Sequence, residues 1–533
     1  MLDTVLKNGR VVDGTGNPWF HGDVGIKNGV IAEIGKIDSE SQETIDIRGQ
    51  YISPGFIDGH CHSDLMVLDH PHSNIKIQQG VTTEVVGNCG LSPAPFTKQF
   101  GEQLKEYVTP VLGTTDREWT WNSVEDYVNQ LMTTHPSENV ATYVAHGSLR
   151  IAVMGFEQRL ATKKELQQMK SLLEEGMKAG AIGLSIGLLY APGSYANKEE
   201  IAELCSVLPK YNGLFATHIR GEGNNLIPSI KEVIWIAEKS GVPLHVSHLK
   251  AAGKRNWGMV TEAVELIEKS RQRGMNVTCD MYPYSAGSTT LTTLLPPWTL
   301  EGGIEKTVAR LKDKSTKEKI KQELNEEQTD WDNLVVSTGW QSVYVSSISA
   351  PKYQEFEGKH IEEISYHFGM DAVDTALDML IQANGNVSIV FFHMSENDVT
   401  DVLRYKNSLI ASDSLTCSTG TPHPRLFGTF PKVLSQLVLR DKVLTMEDAV
   451  RKMTSFPAQK FNLGRRGIIT LGYNADIVVF DPENIEDNAS YQNPVQYPDG
   501  VSYVFVNGKK TSAFKTHTKE RNGGYIVSGP SIK

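Results

Sequence analysis

Residues 213–250 read GLFATHIRGEGNNLIPSIKEVIWIAEKSGVPLHVSHLK. Two apolar runs, GLFATHIR and PLHVSHLK, flank a helix-like stretch, SIKEVIWIAEKSG. Strand, helix and strand in that order make a parallel pair with a crossover helix. The rhythm continues on both sides. Before it come SPGFIDGHCH (53–62), TTEVVGNCG (82–90), NVATYVAHG (139–147) and AIGLSIG (181–187). After it come NVTCDMYPY (276–284), VSIVFFH (387–393) and SLIASD (408–413). A second helix-like segment, KKELQQMKSLLEEGMKAG (163–180), ends in the glycine that helix C-termini favour. The class is therefore α/β, either a doubly wound sheet or a closed barrel. Nine runs are one too many for an eight-stranded barrel, so VSIVFFH or an earlier run is expected to be accessory.

Both ends of the chain read differently. TVLKNGRVVDG and GDVGIKNGVIAEIG alternate apolar residues around Asn8-Gly9 and Asn28-Gly29, and VSYVFVNGKK does so around Asn507-Gly508. Asn-Gly between alternating runs signals a hairpin. Neither end has enough strands for a stable sheet alone, so the termini are expected to pair into one small β domain. From Trp298 to Tyr353 a charge-rich stretch with helical periodicity interrupts the alternation, with no strand until NLVVST. It reads as a solvated helical insertion or as a lid, since insertions after barrel strands fall on the active-site face.

At 533 residues the chain calls for one large domain and a smaller one. A net charge of −11 argues against a nucleic-acid binder. No apolar run is long enough to span a membrane, and the first residues lack a signal-peptide pattern. Five scattered cysteines suit a reducing compartment, and a cytoplasmic protein is expected.

The chemistry gathers at strand ends. In a strand His60 and His62 face the same way while Cys61 points opposite, which makes the histidines a natural pair of metal ligands. Cys89, His218, His248 and Asp413 each close another apolar run. One such residue is ordinary; five strand ends together point to a metal site at a barrel mouth. By the same parity Arg220 shares a face with His218, Lys250 with His248, and Tyr282 with Asp280. Arg220 and Lys250 would supply positive charge for a carboxylate-bearing substrate. Tyr190 is a candidate hydrogen-bond donor, and His146 is expected to brace the site by hydrogen bonding. His245, His423 and Cys417 have no assigned place, and Cys205 falls on a helix-like segment as a core residue.

These segments resemble a known family. SPGFIDGHCHSD is similar to the first-strand motif of the amidohydrolase superfamily. GVTTEVVGNCG, FATHIRGEG, HVSHLKAAG, DMYPYSAGSTTL and HPRLFGTFPKVL resemble its D-aminoacylase branch, the N-acyl-D-amino-acid deacylases. The resemblance implies a (β/α)8 barrel with a β-sandwich from both termini: 1–54 and 456–533 as sandwich, 55–455 as barrel, with an insertion at about 286–350. It further implies Zn2+ held tightly by Cys89, His218 and His248, a second, weaker site at His60 and His62, and Asp413 as catalytic acid/base. Lys250, Tyr190, Tyr282 and Ser288 would contact the substrate, with Arg220 as a further cation.

The implied reaction is hydrolysis of an N-acyl-D-amino acid, a small-molecule substrate, to a carboxylate and a free amino acid. A cyclic amidohydrolase of the hydantoinase or dihydroorotase type, or a deaminase, is the competing enzyme reading. AIGLSIG, the fourth run, has no lysine to bridge two metals as those cyclic-amide enzymes usually do. A non-catalytic metal-binding protein on the same scaffold would leave a general base at Asp413 without purpose.

Overall fold

The structure is a computed structural model and describes residues 1–72, 74–416 and 420–527. It is a mixed α/β chain. Short strands run parallel and pair in chain order: Phe56–Asp58, Val81–Val86, Asn139–Thr142 continuing into Val144–Ala145, and Gly183–Gly187. Leu214–His218, Leu244–Val246, Val277–Met281 and Ser408–Ile410 follow in the same sense. Last and first then meet through their extensions, where Ser414–Leu415 pairs in parallel with Cys61–His62. The Asp413 N–H donates to the His60 carbonyl at 2.7 Å across that seam. Apart from half-buried Leu415, these strands are buried along their length, which is why they read as apolar runs without alternation.

The crossover helices follow their sequence signals. Leu226–Ser240 buries Ile230, Val233, Ile234 and Ala237 on one face and stops at Gly241, whose φ is 69°. Each of the isoleucine and valine side chains contributes roughly 1.5–3 kcal/mol when fully buried. Lys163–Lys178 starts with a reciprocal cap between Thr162 and Glu165.

The termini share one nine-stranded sheet, in which Tyr51–Pro54 pairs antiparallel with Ile477–Phe480 and parallel with Leu2–Val11. Asn28-Gly29 and Asn507-Gly508 form the expected turns between paired strands. Asn8-Gly9 does not. Leu2–Val11 runs straight through it, and the left-handed Asn8 (φ 61°) is absorbed by a register shift between Leu6 and Gly9. A Cβ on Gly9 would lie 2.5 Å from Ile52 Cδ1, so the glycine serves close packing rather than a turn.

The accessory run is VSIVFFH. Val387–Phe392 lies antiparallel between Ala286–Thr290 and Val343–Ile348, in a sheet of its own. Around it Leu311, Ile320, Leu377 and Ile389 build a separate apolar core. The inserted unit thus reaches Phe392, and the expected 286–350 is only its first part. NLVVST is not a strand: Leu334–Thr338 is a short helix, capped by the Asn333 side chain, so local capping overrides its β-branched residues. Among the described residues no helix is long and apolar enough to cross a membrane.

Beneath the seam sits a buried lysine. Lys76 Nζ is paired with Asp58 and lies 3.6 Å from Glu84, 3.0 Å from Ser412 Oγ and 2.8 Å from Ser414 Oγ. One cation thereby ties the first, second and last of these parallel strands. Replacing Lys76 with methionine leaves two buried carboxylates uncompensated, and we expect a loss of about 3–5 kcal/mol in urea unfolding. An unchanged midpoint would show that the cluster carries no such weight.

Candidate active site

The polar strand ends converge. Cys89 Sγ lies 3.3 Å from His60 Nε2 and 3.6 Å from His248 Nε2. Asp413 Oδ1 is 3.3 Å from both His60 Nε2 and His62 Nε2, as the shared face of the two histidines requires. The His218 and His248 rings stand edge to face with centroids 4.4 Å apart. All six residues are buried.

Backbone shape puts several of them there. Cys89, His248 and Asp413 have φ values of 54°, 32° and 48°, a left-handed conformation that non-glycine residues adopt at a cost. The Cys89 turn is held from neighbouring strands: the Gly87 N–H donates to Asp64 Oδ1 at 2.9 Å and the Gly90 N–H to Ser185 Oγ at 3.1 Å. A Cβ on Gly187 would fall 2.2 Å from the Cys89 carbonyl, so the fourth strand must end in glycine for the turn to fit.

Charge is arranged around the thiol. Burial pushes the Cys89 thiol up, but His60, His218 and His248 outweigh it and hold it well below its ordinary value. Burial likewise opposes ionisation of Asp413, and Arg425, His60 and His248 overcome it. Arg425 Nη1 is 2.9 Å from Asp413 Oδ2, and its guanidinium stacks 4.6 Å from the Tyr282 ring centre. Glu222 Oε1 lies 2.8 Å from Lys250 Nζ and 3.1 Å from His248 Nδ1.

The surrounding cavity is lined by Lys250, Tyr190, Tyr282 and Ser288, together with His393. Arg220 is elsewhere. The fifth strand ends at His218, so the shared-face argument lapses before residue 220. Its guanidinium is held by Glu232 at 2.9 Å and by the carbonyls of Ser194 and Ala196, facing a neighbouring cleft. His146 heads the helix His146–Met154, and neither ring nitrogen has a hydrogen-bond partner among the described residues, so it is not the expected brace. His245 takes that part, with Nε2 2.8 Å from Asp280 Oδ2. His423 Nε2 meets the Ala286 carbonyl at 2.9 Å, and Cys205 is core. Cys417 lies outside the described residues.

Four contributors were not singled out from the sequence: Glu222, Asp280, His393 and Arg425. His393 closes an apolar run as the ligand candidates do, a signal that was available. Arg425 precedes the apolar LFGTF, and an arginine so placed needs a buried anion, which the sequence does not locate.

The donor set suits a metal. The ligand atoms of His60, Cys89, His248 and Asp413 lie within 4.8 Å of one another, as do those of His218, Glu222 and His248. Among the described residues both ring nitrogens of buried His218 lack a hydrogen-bond partner, and buried polar atoms are seldom left so. Thiolate with imidazole is a zinc-type set.

The model of the Amidohydrolase family matches residues 43–294 and 399–511. The chain belongs to the amidohydrolase family. The interval left unmatched between them falls mostly within the inserted unit. This amidohydrolase is 33% identical over 527 residues to a D-aminoacylase of Alcaligenes xylosoxydans xylosoxydans, covering 99% of this chain and 98% of the relative. It is also 33% identical over 510 residues to an N-acyl-D-glutamate deacylase of the same organism, covering 95% and 93%. Among solved structures, an N-acyl-D-glutamate deacylase from Bordetella bronchiseptica, complexed with zinc and a phosphonate inhibitor that mimics the tetrahedral intermediate, superposes with a TM-score of 0.83. The two are 30% identical over 99% of each chain.

If Cys89 is a metal ligand, Cys89→Ala purified from metal-replete cells should retain less than a tenth of the wild-type metal by elemental analysis while keeping its far-UV circular dichroism. Full metal content in that variant would make Cys89 a packing residue only.

Proposed function

We propose that this amidohydrolase is a zinc-dependent N-acyl-D-amino-acid deacylase built on a (β/α)8 barrel, with both termini forming its β-sandwich domain. The barrel reading is supported by parallel pairing in chain order and the seam between residues 414–415 and 61–62. The observation that carries the function is the convergence of Cys89, three histidines and Asp413 within hydrogen-bonding reach of one another. In this reading Cys89, His218 and His248 hold one zinc tightly, and His60 and His62 frame a second, weaker position. Zinc there supplies a Lewis acid that polarises an amide carbonyl and acidifies water.

The protein's own groups do the rest. Asp413 takes the proton of the attacking water and returns it to the amide nitrogen, which leaves poorly unless protonated. Lys250, Tyr282 and Ser288 grip the substrate α-carboxylate, and Tyr190, whose ring lies beside His218, steadies the reacting group; holding the amide in place removes an entropic part of the barrier. The products are a carboxylate and a free D-amino acid. A cytoplasmic location accords with the four cysteines among the described residues, all buried and none in a disulfide.

Paired N-acetyl-D- and N-acetyl-L-amino acids should be hydrolysed with a clear preference for D, and a chelator should abolish turnover until zinc is restored. Asp413→Asn should keep its tightly bound zinc yet lose about 10²–10⁴ in kcat. Near-normal turnover by that variant would remove Asp413 from proton transfer, and equal D and L rates would remove the stereochemical assignment.

A further inference from the structure

The cavity around Cys89, His218, His248 and Asp413 has about 40 Å³ open to water centres. At roughly 10–15 Å³ for each water, that is room for about three or four, enough for an acetyl group. A second chamber of about 90 Å³ adjoins it. Leu91, Val111, Leu189, Tyr190 and Thr293 line both, forming a waist between them. Past the waist the walls are Tyr107, Pro110, Phe156, Leu295, Leu300 and Ile304.

The chamber suits an uncharged occupant. Among the described residues its only charged lining groups are Glu106 and Asp332. Asp332 is taken up by the N–H groups of Gly223 and Asn225 at 2.7 and 3.1 Å. No cation is present to receive a carboxylate, and an anion would meet two acidic side chains.

Position decides which part of the substrate enters. Lys250, Tyr282, Ser288, His248 and Asp413 line the site cavity and none of them lines the chamber. On the deacylase reading, the amine side of the scissile bond points to Asp413 and its α-carboxylate to Lys250 and Tyr282. The acyl side must then leave past Tyr190, whose ring stands 4.8 Å from that of His218, and so passes through the waist. Leu189, Pro297 and Trp331 line both the chamber and a large open cleft beyond it, so a longer chain has a way onward.

We propose that the chamber is an acyl-chain subsite, and that the preferred substrates carry an unbranched apolar acyl chain much longer than acetyl. The inference rests on the deacylase reading and specifies its substrate class. The test is kcat/KM for N-acetyl, N-butyryl, N-octanoyl and N-dodecanoyl derivatives of one D-amino acid, with the zinc-loaded enzyme. A fully buried methylene is worth about fourfold at most. Octanoyl should exceed acetyl at least tenfold, with no abrupt loss at dodecanoyl. Leu300→Trp, which narrows the chamber away from the reacting groups, should erase the octanoyl advantage and leave acetyl turnover within twofold. If that variant does not fold, the wild-type series decides alone. Acetyl turned over as well as octanoyl overturns the subsite, as does an L300W effect on side-chain preference instead of acyl length. Failure to cleave any member of the series would defeat the deacylase reading itself.

Discussion

One buried carboxylate, Asp280 on the seventh parallel strand, organises the centre. Its Oδ2 lies 3.1 Å from His60 Nδ1 and 2.8 Å from His245 Nε2, while Oδ1 accepts the His248 N–H at 2.7 Å. Three strands are joined through two oxygens. Burial disfavours its charge, but His60 and His245 hold it far below the usual carboxylate range. With His60 Nδ1 engaged, its Nε2 is the nitrogen left to face Cys89 and Asp413. Anchoring of this kind fixes a histidine's tautomer and direction, so the geometry of the proposed metal centre depends on a residue that need touch no metal.

The parts legible in the sequence are those set by local pattern. Alternating strands and helices announced the parallel architecture, and the strand-end positions of His60, His62, Cys89, His218, His248 and Asp413 announced a common site. What was hidden depends on approach between distant segments. Arg425 reaches Asp413 from a later helix, and Glu222 meets Lys250 from a loop; no spacing rule encodes either encounter. Arg220 illustrates the converse. Parity is informative only while a strand lasts, and that strand stops at His218. Asn8-Gly9 carried a genuine turn preference, but the register shift absorbed the left-handed residue without reversing the chain.

The left-handed conformations of Cys89, His248 and Asp413 belong to the same lesson. Each aims a side chain into the centre from just beyond a strand, where a regular backbone would carry it past. The cost is met by surroundings that leave little alternative: Gly187 makes space for the Cys89 turn, Asp280 holds the His248 N–H, and the His60 carbonyl holds the Asp413 N–H. Such strain is tolerated where neighbouring structure over-determines the conformation.

The cavity is therefore built from two parts of the chain, the strand ends with Lys250, Tyr190 and Tyr282 and the inserted unit. The metal-competent side chains stand at the ends of the parallel strands, whereas Ser288, Thr293, Leu294 and Leu334 reach the cavity from the inserted unit with its own core. Because that core packs separately, its residues can change shape and polarity without disturbing Asp280 or the Cys89 turn. Substrate preference can then drift while the hydrolytic centre stays fixed, which is the general way one scaffold serves several substrates. The interval between residues 294 and 399, which the family model leaves unmatched, falls mostly within that unit and packs under constraints of its own.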